Sequence, residues 1–119
     1  MNPSPVNPAE SLGVVLVTID TEANAHSLAR QLVEAGLAAC VSLSPIQSVY
    51  RWQGELHTDP EWQLVIKTSL TRLEELTQVI TEHHPYDVPE IIALPIAAGF
   101  TEYLAWIGDQ TQKSGREGE

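Results

Sequence analysis

Histidine, tyrosine and two carboxylates fall within eight residues in the run His83-His84-Pro85-Tyr86-Asp87-Val88-Pro89-Glu90. Such a set could bind a metal ion or share protons. The same run also reads as punctuation: His84-Pro85 ends a helix, Pro89 begins a strand, and a histidine there complements the helix dipole. A second cluster is Ser48-Val49-Tyr50-Arg51-Trp52-Gln53-Gly54, in which Tyr50 and Trp52 share one strand face. Those rings could stack on a ligand or anchor an interface, although alternating aromatics are more often packing. Glu61 and Lys67 lie on one strand face and could form a cross-strand or intersubunit ion pair. The one cysteine, Cys40, follows Leu37-Ala38-Ala39. It is either an inert small hydrophobe or, as a soft thiolate, a ligand for copper or zinc.

No Cys-x-x-Cys, His-x-x-x-His or four-ligand set accompanies it, and nucleophile elbow, Walker-type loop and dinucleotide fingerprint are all missing. The expectation is a binding protein and not an enzyme. His26 in a helix and His57 in a turn read as surface residues.

Charge narrows the partners. Sixteen acidic against six basic residues give a formal net charge of -10, so phosphate-neutralising nucleic-acid binding and attachment to anionic membranes are both excluded. A single cysteine permits no intrachain disulfide, and the start of the chain reads as neither a signal peptide nor a membrane helix, so a cytoplasmic location is expected.

These residues need elements to position them. Residues 1–11, with three prolines, read as a flexible lead-in, and residues 113–119 as a flexible tail, leaving one domain over 12–112. Val14 to Val17 lies in a buried strand running from Leu12 to Ile19. Asp20 or Thr21 caps a helix carrying Ala25, Leu28, Ala29, Leu32 and Val33, which Gly36 stops. A strand over Ala38–Leu43 is expected to break at Pro45. From Ile46 the chain alternates as far as a turn or bulge at Gly54-Glu55. Thr58-Asp59-Pro60 predicts another turn or bulge, before a strand holding Trp62, Leu64 and Ile66. Thr71 with Glu74 predicts a capping box for a helix bearing Leu73, Leu76, Val79 and Ile80. Ile91 to Ile96 is a last strand, and its Pro95 predicts an edge. Thr101 caps a closing helix with Tyr103, Leu104 and Ile107.

The order β-α-β-β-α-β plus a C-terminal helix is the α+β, ferredoxin-like split βαβ sandwich. That plan puts both long helices on one face of the sheet. Yet Val14–Val17 and Ile91–Leu94 are apolar on both faces. A partner subunit is therefore expected to cover the second face.

Taken together, Leu37-Ala38-Ala39-Cys40-Val41, the Ser48–Gly54 run, Lys67-Thr68, His84–Ile91 and Tyr103-Leu104-Ala105-Trp106-Ile107 resemble the CutA divalent-cation tolerance family. The resemblance spans about Val14 to Ile107. It implies a tight homotrimer with an architecture like that of PII signalling proteins. It also implies weak binding of copper or other divalent metal ions, with no obligatory cofactor. Cys40 and His84 match positions proposed as metal ligands in that family. Val17 stands where some bacterial relatives carry another cysteine, one soft ligand fewer. The resemblance further implies an intersubunit cleft lined by Tyr50, Trp52, Glu61, Lys67, Tyr86, Glu90 and Trp106, beside His84. A PII-like signalling module, holding a small ligand or a partner protein in that cleft, is the alternative.

Overall fold

A computed structural model describes residues 11–112. The segments read as flexible, 1–11 and 113–119, lie outside the described residues except for Ser11, whose carbonyl accepts the Leu70 N–H at 2.9 Å. Four strands form one antiparallel sheet in the order β2-β3-β1-β4, with β1 at Leu12–Ile19, β2 at Cys40–Trp52, β3 at Glu55–Ser69 and β4 at Ile91–Pro95. The helices are α1 at Glu22–Glu34, α2 at Leu73–His83 and α3 at Thr101–Gln110. This is the split βαβ plan the hydrophobic pattern predicts.

The register explains the core. Val15 pairs with Ile66 and Val17 with Leu64, and all four are fully buried. They meet Ala25, Leu28 and Leu32 of α1 and Leu76 and Ile80 of α2, so both long helices cover one face. Because side chains alternate, Val14, Leu16, Lys67, Val65 and Cys40 must then point to the second face. There α3 covers one end: Ile107 is buried, and Ser69 Oγ meets Thr111 Oγ1 at 2.6 Å. The second face is thus covered in part from within the chain, by the closing helix. Ile92 and Leu94 on edge strand β4 remain 47% and 46% exposed.

Four local expectations need correction. Pro45 does not interrupt β2, which runs unbroken for 13 residues. As an edge strand, β2 has half its N–H groups facing outward, where a proline removes no ladder bond. Thr58-Asp59-Pro60 is not a turn but the middle of β3, opposite Val49, Ser48 and Gln47. Pro60 is tolerated there because β1 ends at the Ile19–Trp62 pair, leaving β3 with a neighbour on one side only. The chain reverses at Gln53-Gly54 (φ 52° and 81°), one residue before the expected turn, and Trp52 pairs with Glu55. Two consecutive left-handed residues make a type I′ hairpin, which matches the twist of its strands.

Helix starts supply the fourth correction. Thr21 caps α1, its Oγ1 accepting from the Asn24 N–H at 3.1 Å. The Thr71–Glu74 capping box is not formed: Leu70–Arg72 is a 3-10 turn and α2 has no side-chain cap. Thr101 is the first residue of α3 and not its cap, a place held by Phe100.

At that second helix start a charged side chain takes over. Arg72 is 6% exposed, and its Nη1 donates to the carbonyls of Gly36, Thr111 and Gln112 at 3.2, 3.2 and 3.1 Å. Its Nε donates to Glu75 Oε1 at 3.0 Å. One guanidinium therefore satisfies orphan carbonyls at the C-terminal ends of both α1 and α3, where a cation also complements the dipoles.

Candidate functional site

The β2–β3 hairpin projects past the end of β1, so its second face is bare of α3. Tyr50 and Trp52 point there by alternation from Cys40, together with Glu61, His57 and Asp59 on the opposite strand. The Tyr50 ring stacks on His57, with centroids 5.4 Å apart, and its hydroxyl donates to Asp59. That bond, followed by burial, holds the Tyr50 phenol above its ordinary pKa. Trp52 is 49% exposed.

The loop after α2 closes the other side. Pro85 ends the helix, and His84 takes an extended backbone (φ -87°, ψ 136°), as a residue before proline prefers. His84 Nε2 lies 2.7 Å from the Thr18 carbonyl, which can only accept. Its Nδ1 receives the Tyr86 N–H at 3.1 Å, which can only donate. Those two partners make Nε2 the donor and Nδ1 the acceptor, and leave neither nitrogen a free lone pair for an ion. His84 positions the loop instead, its ring 4.8 Å from that of Tyr86.

Tyr86 then reaches the sheet, its hydroxyl donating to Glu61 Oε2 at 2.7 Å. Burial, and after it the Glu61 carboxylate, pushes the Tyr86 phenol far above its ordinary pKa. Glu61 itself is only 9% exposed. A cavity of about 380 Å³ opens between hairpin and loop. Three rings border it, Tyr50, Trp52 and Tyr86, and three carboxylates, Glu61, Asp87 and Glu90; Thr18 and Val88 complete its wall.

Five of the seven expected cleft residues therefore meet around one cavity: Tyr50, Trp52, Glu61, Tyr86 and Glu90. Within one chain Lys67 and Trp106 do not join them. Lys67 pairs with Cys40 and Val14, and its Nζ donates to Ser42 Oγ at 2.7 Å and to Cys40 Sγ at 3.9 Å. Within one chain Glu61 and Lys67 do not pair, since each side chain has a different partner. Trp106 packs on Tyr103 with ring centroids 5.6 Å apart. Tyr103 in turn faces Cys40; burial first and the sulfur second raise its phenol pKa.

Cys40 and His84 are likewise not brought together within one chain. Cys40 is level with Val14 and His84 is bound at Thr18, four residues further along β1 or about 13 Å. Among the described residues no three His, Cys, Asp or Glu side chains converge as a metal cage. Within one chain the described side chains do not form a closed transition-metal site. Sequence reasoning missed Asp87, Val88 and Thr18 as cavity residues. Asp87 stood in the quoted cluster, but nothing in its spacing told which way the loop would turn it.

Comparison with known proteins places the chain among relatives of this shape. A family model described as CutA1 divalent ion tolerance protein matches residues 13–110. The divalent-cation tolerance protein CutA of Thermus thermophilus is 48% identical over 99 residues, covering 82% of this chain and 96% of that protein. A chloroplastic CutA protein of Arabidopsis thaliana is 45% identical over 83% of this chain, which spans 55% of its length. Among solved structures, CutA1 of Oryza sativa superposes with a TM-score of 0.84 at 43% identity, covering 87% of this chain and 96% of that one. A periplasmic divalent cation tolerance protein of Archaeoglobus fulgidus gives 0.83 at 31% identity, covering 85% and 99%.

Proposed function

We propose that this chain, which belongs to the CutA1 divalent ion tolerance family, works as a homotrimer that captures divalent cations weakly in the response to metal ions. One observation carries the proposal: Glu61, Asp87 and Glu90 border a single cavity with no lysine or arginine in its wall, on a chain of net charge -10. Such a wall concentrates cations and offers them oxygen donors. With no converging cage among the described residues, capture is weak and leaves the ion its water. Cys40 supplies a separate, soft contact for copper, while His84 acts by holding the cavity loop.

The trimer is supported by the half-exposed Ile92 and Leu94 on edge strand β4 and by the projecting hairpin, apolar surface that identical chains would cover under cyclic symmetry. The proposal is a binding role and not an enzymatic one, in line with relatives named for tolerance. Its location in the cytoplasm is a separate proposal resting on the lone thiol, and cell fractionation tests it.

Titrating the metal-free full chain with zinc and copper(II) tests the function. Glu90→Gln should weaken zinc binding several-fold, and Cys40→Ser should weaken copper alone. Binding no better than that of an unrelated acidic protein defeats the proposal. Light scattering should give three times the 13.1 kDa chain mass; a single-chain particle defeats the trimer.

The three rings favour a second reading, a PII-like module that holds a small ligand in the same cavity. Polar and apolar walls in a space of this size suit a fragment-sized molecule.

A further inference from the structure

We infer that the ligand of this cavity is a small organic cation, an ammonium group carried on an apolar body. The inference rests on the small-ligand reading above and names the charge class that reading leaves open.

Ring faces carry negative potential, and Tyr50, Trp52 and Tyr86 all border the one space, with one face of Tyr50 taken by His57. Both phenols donate their protons to carboxylates, Tyr50 to Asp59 and Tyr86 to Glu61. A phenol polarised in that direction has a more electron-rich ring, which strengthens its attraction for a cation. The rings thereby gain selectivity for charge that stacking alone would lack.

Glu61 adds a buried demand. Its Oε2 is taken by Tyr86, but Oε1 has no hydrogen-bond partner among the described residues, although the residue is 9% exposed and lines the cavity. A buried carboxylate oxygen without a donor is costly, and an incoming N–H or an ammonium charge relieves that cost.

Within one chain the cavity wall carries no lysine or arginine to hold an anion. Lys67, the cation expected in the cleft, is turned to Ser42 and Cys40. Arg51 sits on the opposite face of the hairpin, across from Leu56. Both ring nitrogens of His84 are engaged, Nε2 with the Thr18 carbonyl and Nδ1 with the Tyr86 N–H. A bare metal ion would use the carboxylates but leave the three rings without a role. An alkylammonium uses both.

A matched probe series tests the charge class. The full chain is titrated by NMR with benzyltrimethylammonium, with its neutral isostere neopentylbenzene, and with benzylphosphonate. The cation should bind at least tenfold more tightly than the isostere, and the phosphonate should not bind. Trp52→Ala and Glu61→Gln should each weaken the cation about tenfold, with Glu90→Gln as a second carboxylate variant should Glu61→Gln fail to fold. Equal or tighter binding of the neutral or anionic probe overturns the charge assignment while leaving a small-ligand cavity standing. Binding of none of the three overturns both. Unchanged cation affinity in Trp52→Ala and in Glu90→Gln places the probe elsewhere and also overturns the inference.

Discussion

The two ends of the sheet's second face treat buried polar groups in opposite ways. At the end covered by α3, Arg72 Nη1 donates to three carbonyls and Ser69 meets Thr111. At the hairpin end, Glu61 keeps an open oxygen and Tyr50 and Trp52 keep much of their ring area exposed. Satisfied buried networks fix a structure, whereas unsatisfied ones beside a cavity wait for a partner. The contrast separates scaffold from site without any appeal to residue type, since both ends carry charge.

Breaking the scaffold end should cost most. Arg72→Met strands the carbonyls of Gly36, Thr111 and Gln112 and leaves two helix ends uncompensated, a loss of about 3–5 kcal/mol. Chemical denaturation at fixed protein concentration reads that loss. Zinc affinity of the folded fraction should stay unchanged, and a fall in affinity would mean that the two ends are coupled.

At the cavity end the polar cost is smaller and depends on pH. Tyr86→Phe leaves the buried Glu61 carboxylate without its donor, about 1–3 kcal/mol. The phenol is raised in the folded state, so its contribution is complete below the unfolded value of about 10 and is lost as pH climbs from there toward the folded value. Denaturation midpoints above about pH 10 should therefore fall less steeply in Tyr86→Phe than in the parent chain. An identical alkaline slope would show that the Tyr86–Glu61 bond does not form in solution.

Trp52→Ala should divide stability from binding. A half-exposed ring at a hairpin tip costs about 0.5 kcal/mol or less in the isolated fold. If the denaturation loss is instead several kcal/mol with the particle mass falling, the ring belongs to an interface and not to a ligand site. The smallest change concerns the turn that aims this hairpin. Gln53 has φ 52° ahead of Gly54, a position asparagine adopts more easily, so Gln53→Asn should add a few tenths of a kcal/mol. A loss of stability there would show that the Gln53 side chain has a role beyond the turn.

Much of this contrast could be read from the residues. Periodicity of 3.6 and of 2 gave the element order, because Ala25, Leu28 and Leu32 or Val15 and Val17 repeat on one face whatever their neighbours do. The prolines misled, since Pro45 and Pro60 signal breaks until it is known that β2 is an edge and that β1 ends at Ile19. Those are facts of sheet order, which no local pattern carries. The capping box failed similarly: Thr71 has the right spacing to Glu74, but the buried Arg72 imposes a 3-10 turn there through partners 36 to 40 residues away. The aromatic half of the cavity was legible from the Tyr50/Trp52 alternation. The Glu61–Tyr86 bond was not, joining as it does residues 25 apart through a loop whose course Pro85 and His84 set.

Amide hydrogen exchange of the full chain, with and without saturating zinc and separately with benzyltrimethylammonium, tests the division between the two ends most directly. The prediction is slowed exchange confined to Tyr50–Trp52, Glu61 and Tyr86–Glu90. Slowing centred on Ser69–Arg72 and Ile107–Thr111, or no slowing with either cation, would contradict it.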